Sequence, residues 1–201
     1  MVGAETCSSS KSRADSTSGK GRLRGLEIGN PPGFSSARAA KLGEVTVSLD
    51  PSTVTQEVIV IHEIVVDSPL INYERSGKTT NLDAIQSSID AYVKRSGGAS
   101  DGSTSPPGDK RRFIVDRISI RNAKVTMTNP ALKGQGITFD IPDIELRDVG
   151  RRQNGLSASQ VANIVATQVI SRIAQKVLTN FQLLRRGGLE GAIDAIKGLV
   201  K

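Results

Sequence analysis

The chain has 201 residues, enough for one domain with a real core plus tails. Its 27 Lys and Arg against 20 Asp and Glu leave a net charge of +7, which favours anionic surfaces, but aromatics make up 3% of residues with no Trp, so bases have little to stack on and no nucleic-acid partner is expected. One cysteine, Cys7, excludes an internal disulfide and a multi-thiolate metal site.

Residues 1–20 read as a disordered leader, rich in Ser and Lys and poor in apolar side chains. Cys7 lies there without the apolar run that precedes a lipoprotein attachment site, so it reads as an ordinary exposed thiol. Residues 21–150 read as a β-rich domain. Leu23-Arg-Gly-Leu-Glu-Ile is a short alternating strand that stops at the corner Gly29-Asn30-Pro31-Pro32-Gly33-Phe34. Proline fixes its own φ and pushes the preceding residue toward extended geometry, so the corner cannot be helical. Its expected role is structural, setting the curvature of the sheet. Val45, Val47 and Leu49 then alternate with Thr46 and Ser48, the pattern of a sheet with one buried face. Ile59 to Val66 is apolar on both faces apart from His62 and Glu63, which predicts a central strand. Asp67-Ser68-Pro69 is expected to turn the chain into a further strand carrying Ile71 and Tyr73 on one face.

The spacing of Leu82, Ile85, Ile89 and Val93 predicts a helix over 81–95, with Asn81 as its cap and Asp83 at its positive end. Residues 96–111 form a flexible loop by composition. Strands resume at Arg112, and there the chain repeats itself. Ile61 to Glu74 aligns without gaps on Val115 to Thr128, so that Ile64 matches Ile118, Val66 matches Ile120, Ile71 matches Val125 and Tyr73 matches Met127. The expected architecture is therefore repeated strand-turn-strand hairpins continuing one sheet. Ile137, Phe139 and Ile141 give another strand, and Ile144 and Leu146 another after Pro142. Residues 151–201 change period. Ser157-Ala-Ser-Gln160 is a capping box opening a helix to about 185, with Val161, Ile164, Val165, Ile170, Ile173, Val177, Leu178, Phe181 and Leu184 on its apolar side. A second amphipathic segment spans 189–200.

No arrangement of catalytic residues emerges. His62 is the only histidine, and its neighbour Glu63 should point to the opposite face of the strand, so the two form no dyad. Asp140, Asp143, Glu145 and Asp148 lack calcium-loop spacing. Gly187-Gly188 is a helix stop rather than a phosphate loop. The expectation is a protein that is not an enzyme and carries no cofactor or metal. What remains is one apolar sheet face: Ile64, Val66, Ile71, Tyr73, Ile118, Ile120, Val125, Met127, Phe139 and Ile141. Either amphipathic helices cover it as a plain core, or it is an open gutter for acyl chains, whose contacts are non-directional and scale with area.

The segments Leu23 to Phe34, Ala39 to Asp50, Val58 to Tyr73, Asn81-Leu82-Asp83-Ala84, Phe113 to Met127 and Ile141 to Asp148, in this order, resemble the AsmA-like family of bacterial envelope proteins, distant fold relatives of bridge-like lipid-transfer proteins. The resemblance covers roughly 20–185 and implies curved sheets that bind lipid, with a place in the cell envelope on the periplasmic side of the inner membrane. Family members usually open with a membrane helix and a strand ahead of the Leu-Arg-Gly-Leu segment. Neither is visible here, nor is a signal peptide, so a soluble or truncated form is the expectation for this chain as read.

The expected fold is α+β: a curved, mainly antiparallel sheet of short strands, one inserted helix and a long C-terminal helix. The expected function is non-enzymatic lipid binding on the apolar face, contributing to outer-membrane and phospholipid homeostasis, with phospholipid or a membrane surface as partner. The alternative is a small scaffold with a closed core that binds a protein through residues 158–200.

Overall fold

The computed structural model describes residues 7–8, 12–15, 19–97, 111–128 and 136–186. The first strands are β1 (Cys7–Ser8), β2 (Ser12–Asp15), β3 (Lys20–Gly29), β4 (Arg38–Leu49), β5 (Val58–Asp67), β6 (Leu70–Ser76) and β7 (Thr79–Thr80). Helix α1 (Asn81–Gly97) follows, then β8 (Arg112–Arg121), β9 (Lys124–Thr128), β10 (Gly136–Asp140), β11 (Ile144–Val149) and helix α2 (Ala158–Arg186). The fold is α+β, with a mixed but mostly antiparallel sheet. Within the leader, where disorder was expected, β1 and β2 pair antiparallel with β3. The segment 189–200 and most of the expected loop 96–111 lie outside the described residues.

The expected hairpins are not hairpins. β5 and β6 lie end to end as one bent strand, and both pair antiparallel with the same edge of β4, in one register across their junction. β8 and β9 make a second bent strand that runs parallel to the first: Ile64 pairs with Ile118, Val66 with Ile120, Ile71 with Val125 and Tyr73 with Met127. The internal repeat legible in the sequence is thus a parallel register, every partner 54 positions further along the chain. Parallel neighbours need a crossover, and β7 and α1 lie within it. β10 and β11 form a third bent strand, antiparallel to β9 and β8.

All of these strands bend at one level. Carrying each ladder across its break sets Gly25 opposite Gly43, Gly43 opposite Ser68, Ser68 beside Asn122, and Asn122 opposite Pro142. Gly25, Ser68 and Asn122 have φ of 71, 52 and 54°. Val66 and Ile71 are an odd number of residues apart, yet both pack against one cluster, as do Ile120 and Val125. Each strand therefore gains one residue in this row, keeping its apolar face turned the same way, and such bulges bend and twist a strand. Because the insertions coincide, register survives. The row is also hydrogen-bonded: the Ser68 amide donates to the Arg121 carbonyl at 2.9 Å, the Lys124 amide to the Pro69 carbonyl at 2.9 Å, and the Asn122 side chain to Asp67 at 2.9 Å. The bend of the sheet arises here, while the Gly29–Phe34 corner closes the β3–β4 hairpin.

Both helices pack on one face of the sheet. Ile173 of α2 is wholly buried against Ile120, Val125, Ile141 and Ile144, with Leu82 of α1 beside them. Val161 and Val165 of α2 reach a neighbouring cluster of Val115, Ile118 and Val149. Ser157 caps α2 as expected: its hydroxyl accepts from the Gln160 amide at 3.2 Å, and Gln160 accepts from the Ser157 amide at 2.9 Å. Ile164, placed in the apolar stripe by spacing, is exposed instead. The side chains of Val177, Leu178, Phe181 and Leu184 are outside the described set.

Candidate functional site

The apolar face divides into two parts. Ile71, Ile118, Ile120, Val125, Met127 and Ile141 are buried beneath the helices and behave as core. Ile64, Val66, Tyr73 and Phe139 are only half-buried at its borders. Burial pushes the Tyr73 phenol above its ordinary pKa. Val47 pairs with Ile64 and is half-buried as well, as is Ile28 on β3. Aliphatic surface thus stays accessible on the β3–β5 side around the buried Val45, while on β8 and β11 Ile118, Ile120 and Ile144 are buried and Leu146 is half-buried.

The corner and the start of α1 meet in a buried polar lock. Asn81 has no exposed surface. Its Nδ2 donates to Asn30 Oδ1 and to the Asn72 carbonyl, each at 2.8 Å, and its Oδ1 accepts from the Glu74 amide at 2.9 Å. Asn30 in turn donates to the Ser36 carbonyl at 2.8 Å. Glu74, 4% exposed, accepts the amides of Ser35 at 2.5 Å and Ser36 at 3.0 Å. Burial alone would raise the Glu74 pKa, but the donors of Ser35 and Ser36 outweigh it and hold the carboxyl below its usual range. Asn81 is therefore not the helix cap. Thr80 is: its hydroxyl accepts from the Asp83 amide at 3.1 Å, and Asp83 accepts from the Thr80 amide at 3.2 Å. An internal Asn reads as a cap in one dimension because its use as a bridge depends on Asn30, far away in the chain.

His62 does have a carboxylate partner, but it is Asp116 rather than Glu63. The His62 Nδ1 lies 3.2 Å from Asp116 Oδ2, and Asp116 also takes Arg151 Nη2 at 2.5 Å. Arg151 closes the chain on Asp148 at 2.7 Å, and Asp148 with Asp116 raises the Arg151 pKa. Ile61 and Ile64 both pack against the Val115 cluster, so the strand bulges between them and His62 and Glu63 both leave the apolar face. Glu63 pairs with Arg117 at 3.1 Å. The signal for these pairs was in the repeat itself, which aligns His62 with Asp116 and Glu63 with Arg117. His62 is 54% exposed, so its ion pair with Asp116 is a surface contact between the neighbouring strands β5 and β8. Among the described residues no group of three or more His, Cys, Asp or Glu is placed to hold a metal ion, Asp140, Asp143, Glu145 and Asp148 included.

Between the helices lies a further polar knot that periodicity did not reveal: Asn163 donates to Asp90 at 2.9 Å and accepts from Gln86. No helix among the described residues is long and apolar enough to cross a membrane. The chain matches no family model, and no curated protein matches it significantly.

Proposed function

We propose that this protein is a non-enzymatic, AsmA-like envelope module that binds lipid acyl chains along the accessible side of its apolar sheet face. Its place would be the periplasmic side of the inner membrane, contributing to phospholipid and outer-membrane homeostasis. The observation that carries the reading is the half-buried aliphatic strip Ile28, Val47, Ile64 and Val66, continuous with the core but not sealed like Ile118 or Val125. Aliphatic side chains without directional partners suit acyl chains. Relative to the ten candidates taken from the sequence, the lipid-facing set narrows to the border, because the buried members are already packed against helices.

A second reading is a scaffold with a closed core that takes a protein partner on α2. It is favoured by the exposure of Ile164 on that helix and the complete burial of Ile173. Native mass spectrometry with organic extraction separates the two. Lipid binding predicts co-purifying phospholipid that is lost in Val66→Asp while the fold persists, whereas Ile120→Asp unfolds the domain. A lipid-free protein whose Val66→Asp variant behaves like wild type returns the scaffold reading.

A further inference from the structure

Opposite the helices, β3 and the first half of β4 carry Lys20, Arg22, Arg24, Arg38 and Lys41 against only two carboxylates. Glu44 is shared by Arg22 at 3.2 Å and Arg24 at 2.7 Å, and Glu27 by Arg38 at 2.7 Å and Lys41 at 4.0 Å. Each cation shared in this way is more than half exposed, while both carboxylates are 31% exposed, so positive charge stands outermost. On the next strand Glu63 is neutralised by Arg117, whereas Asp67, bonded to the neutral Asn122, keeps its charge and offsets part of the strip without reversing its sign. Register places the cations along a strip about 30 Å long, two strands wide.

We infer that this strip is a docking surface for an anionic phospholipid bilayer. An array of exposed cations on one face of a sheet matches a polyanionic surface, which needs no pocket. A protein partner would need an apolar or aromatic centre to anchor it, and the strip presents none. Nucleic acid would be gripped by its phosphates alone, with no aromatic side chain on the strip for its bases. The strip and the aliphatic border that includes Ile28 lie on opposite faces of β3, so docking by the strip leaves that border turned away from the bilayer. The inference extends the lipid-binding reading but does not need acyl chains to enter the apolar face.

Co-sedimentation of the whole chain with phosphatidylcholine vesicles, with and without about 30% phosphatidylglycerol, tests it. Binding should require the anionic lipid and fade between about 0.1 M and about 0.5 M salt. Arg22→Glu with Arg24→Glu should weaken it by at least about tenfold with the thermal melt retained, while Arg147→Glu, outside the strip, should not. Equal binding to neutral vesicles, or an Arg22/Arg24 variant that binds as wild type, overturns the inference. So does binding to a DNA oligonucleotide with the same variant sensitivity and none to vesicles. If the Arg22/Arg24 variant does not fold, Arg38→Gln with Lys41→Gln carries the test with the same criteria. Extracted lipid in a chain that ignores charged vesicles overturns the docking surface alone; charge-dependent docking without extracted lipid overturns the acyl site alone.

Discussion

Asn81 donates a 2.8 Å hydrogen bond to Asn30, 51 residues earlier, and so ties the first turn of α1 to the loop that joins β3 to β4. Removing the side chain leaves the Asn30 amide oxygen, the Asn72 carbonyl and the Glu74 amide short of a partner in a buried site. Asn81→Ala should therefore lower the unfolding free energy by about 2–4 kcal/mol. Thr80→Ala, which removes the cap alone, should cost about 1 kcal/mol. Urea denaturation of both variants checks the difference; equal losses would mean that the bridge contributes nothing beyond helix capping.

The depressed pKa of Glu74 makes its contribution pH-dependent. Above the ordinary value of 4.5 the carboxylate is ionised in folded and unfolded chains, and its grip on the Ser35 and Ser36 amides is fully present. As pH falls through the lower folded value, the stabilisation disappears. Glu74→Gln should be less stable than wild type near pH 7, and the two stability curves should converge as pH falls below 4.5. Curves that stay parallel across this range would show that the carboxylate charge is not what holds the corner.

Gly43 sits in the bulged row because nothing larger fits. A Cβ there would lie 2.7 Å from the Asp67 carbonyl oxygen and 3.2 Å from that of Ser68. Gly43→Ala is expected to cost about 1–3 kcal/mol. Gly21→Ala, on the neighbouring strand with nothing within 4 Å, should be neutral to within about 0.5 kcal/mol or slightly stabilising. Thermal melts of the pair give the comparison.

Ile173 is the residue through which α2 engages both sides of the bend. Its burial predicts a loss of about 2–5 kcal/mol for Ile173→Ala. Ile164→Ala, on the exposed side of the same helix, should change stability by less than about 0.5 kcal/mol. Chemical denaturation of the two variants distinguishes a helix that is part of the core from one merely resting on it.

The parallel register can be tested by charge. Glu63→Arg and Arg117→Glu each place like charges side by side, and the double variant restores an opposite pair. A double-mutant cycle should return a coupling of about 0.2–1 kcal/mol, modest because both side chains are partly solvated. Strictly additive effects would mean that the two residues are not neighbours.

Much of the local structure was legible in the chain. Ser157 and Gln160 announce α2 because a capping box works within four residues, and the stripe Leu82, Ile85, Ile89, Val93 marks α1 for the same local reason. The ten apolar face residues do share one side of the sheet, and the gapless repeat from Ile61 to Glu74 and from Val115 to Thr128 is real. The repeat marks a parallel register, not hairpins. Period-two alternation is identical for a strand paired parallel or antiparallel, and Asp67-Ser68-Pro69 offers the same residue types to a hairpin turn as to a left-handed bulge. The loop joining α1 to β8 gave no hint of which it was.

By itself, then, the sequence determined which residues are helical, which alternate, and which face is apolar, since all three follow from interactions within a few positions. Tertiary structure alone decided that Ser68 and Asn122 extend their strands rather than reverse them, because an extra residue leaves the register unbroken only when the neighbouring strands carry one at the same level. It also decided that Asn81 bridges instead of caps and that His62 faces Asp116, because each bond joins groups that only the packed sheet brings together.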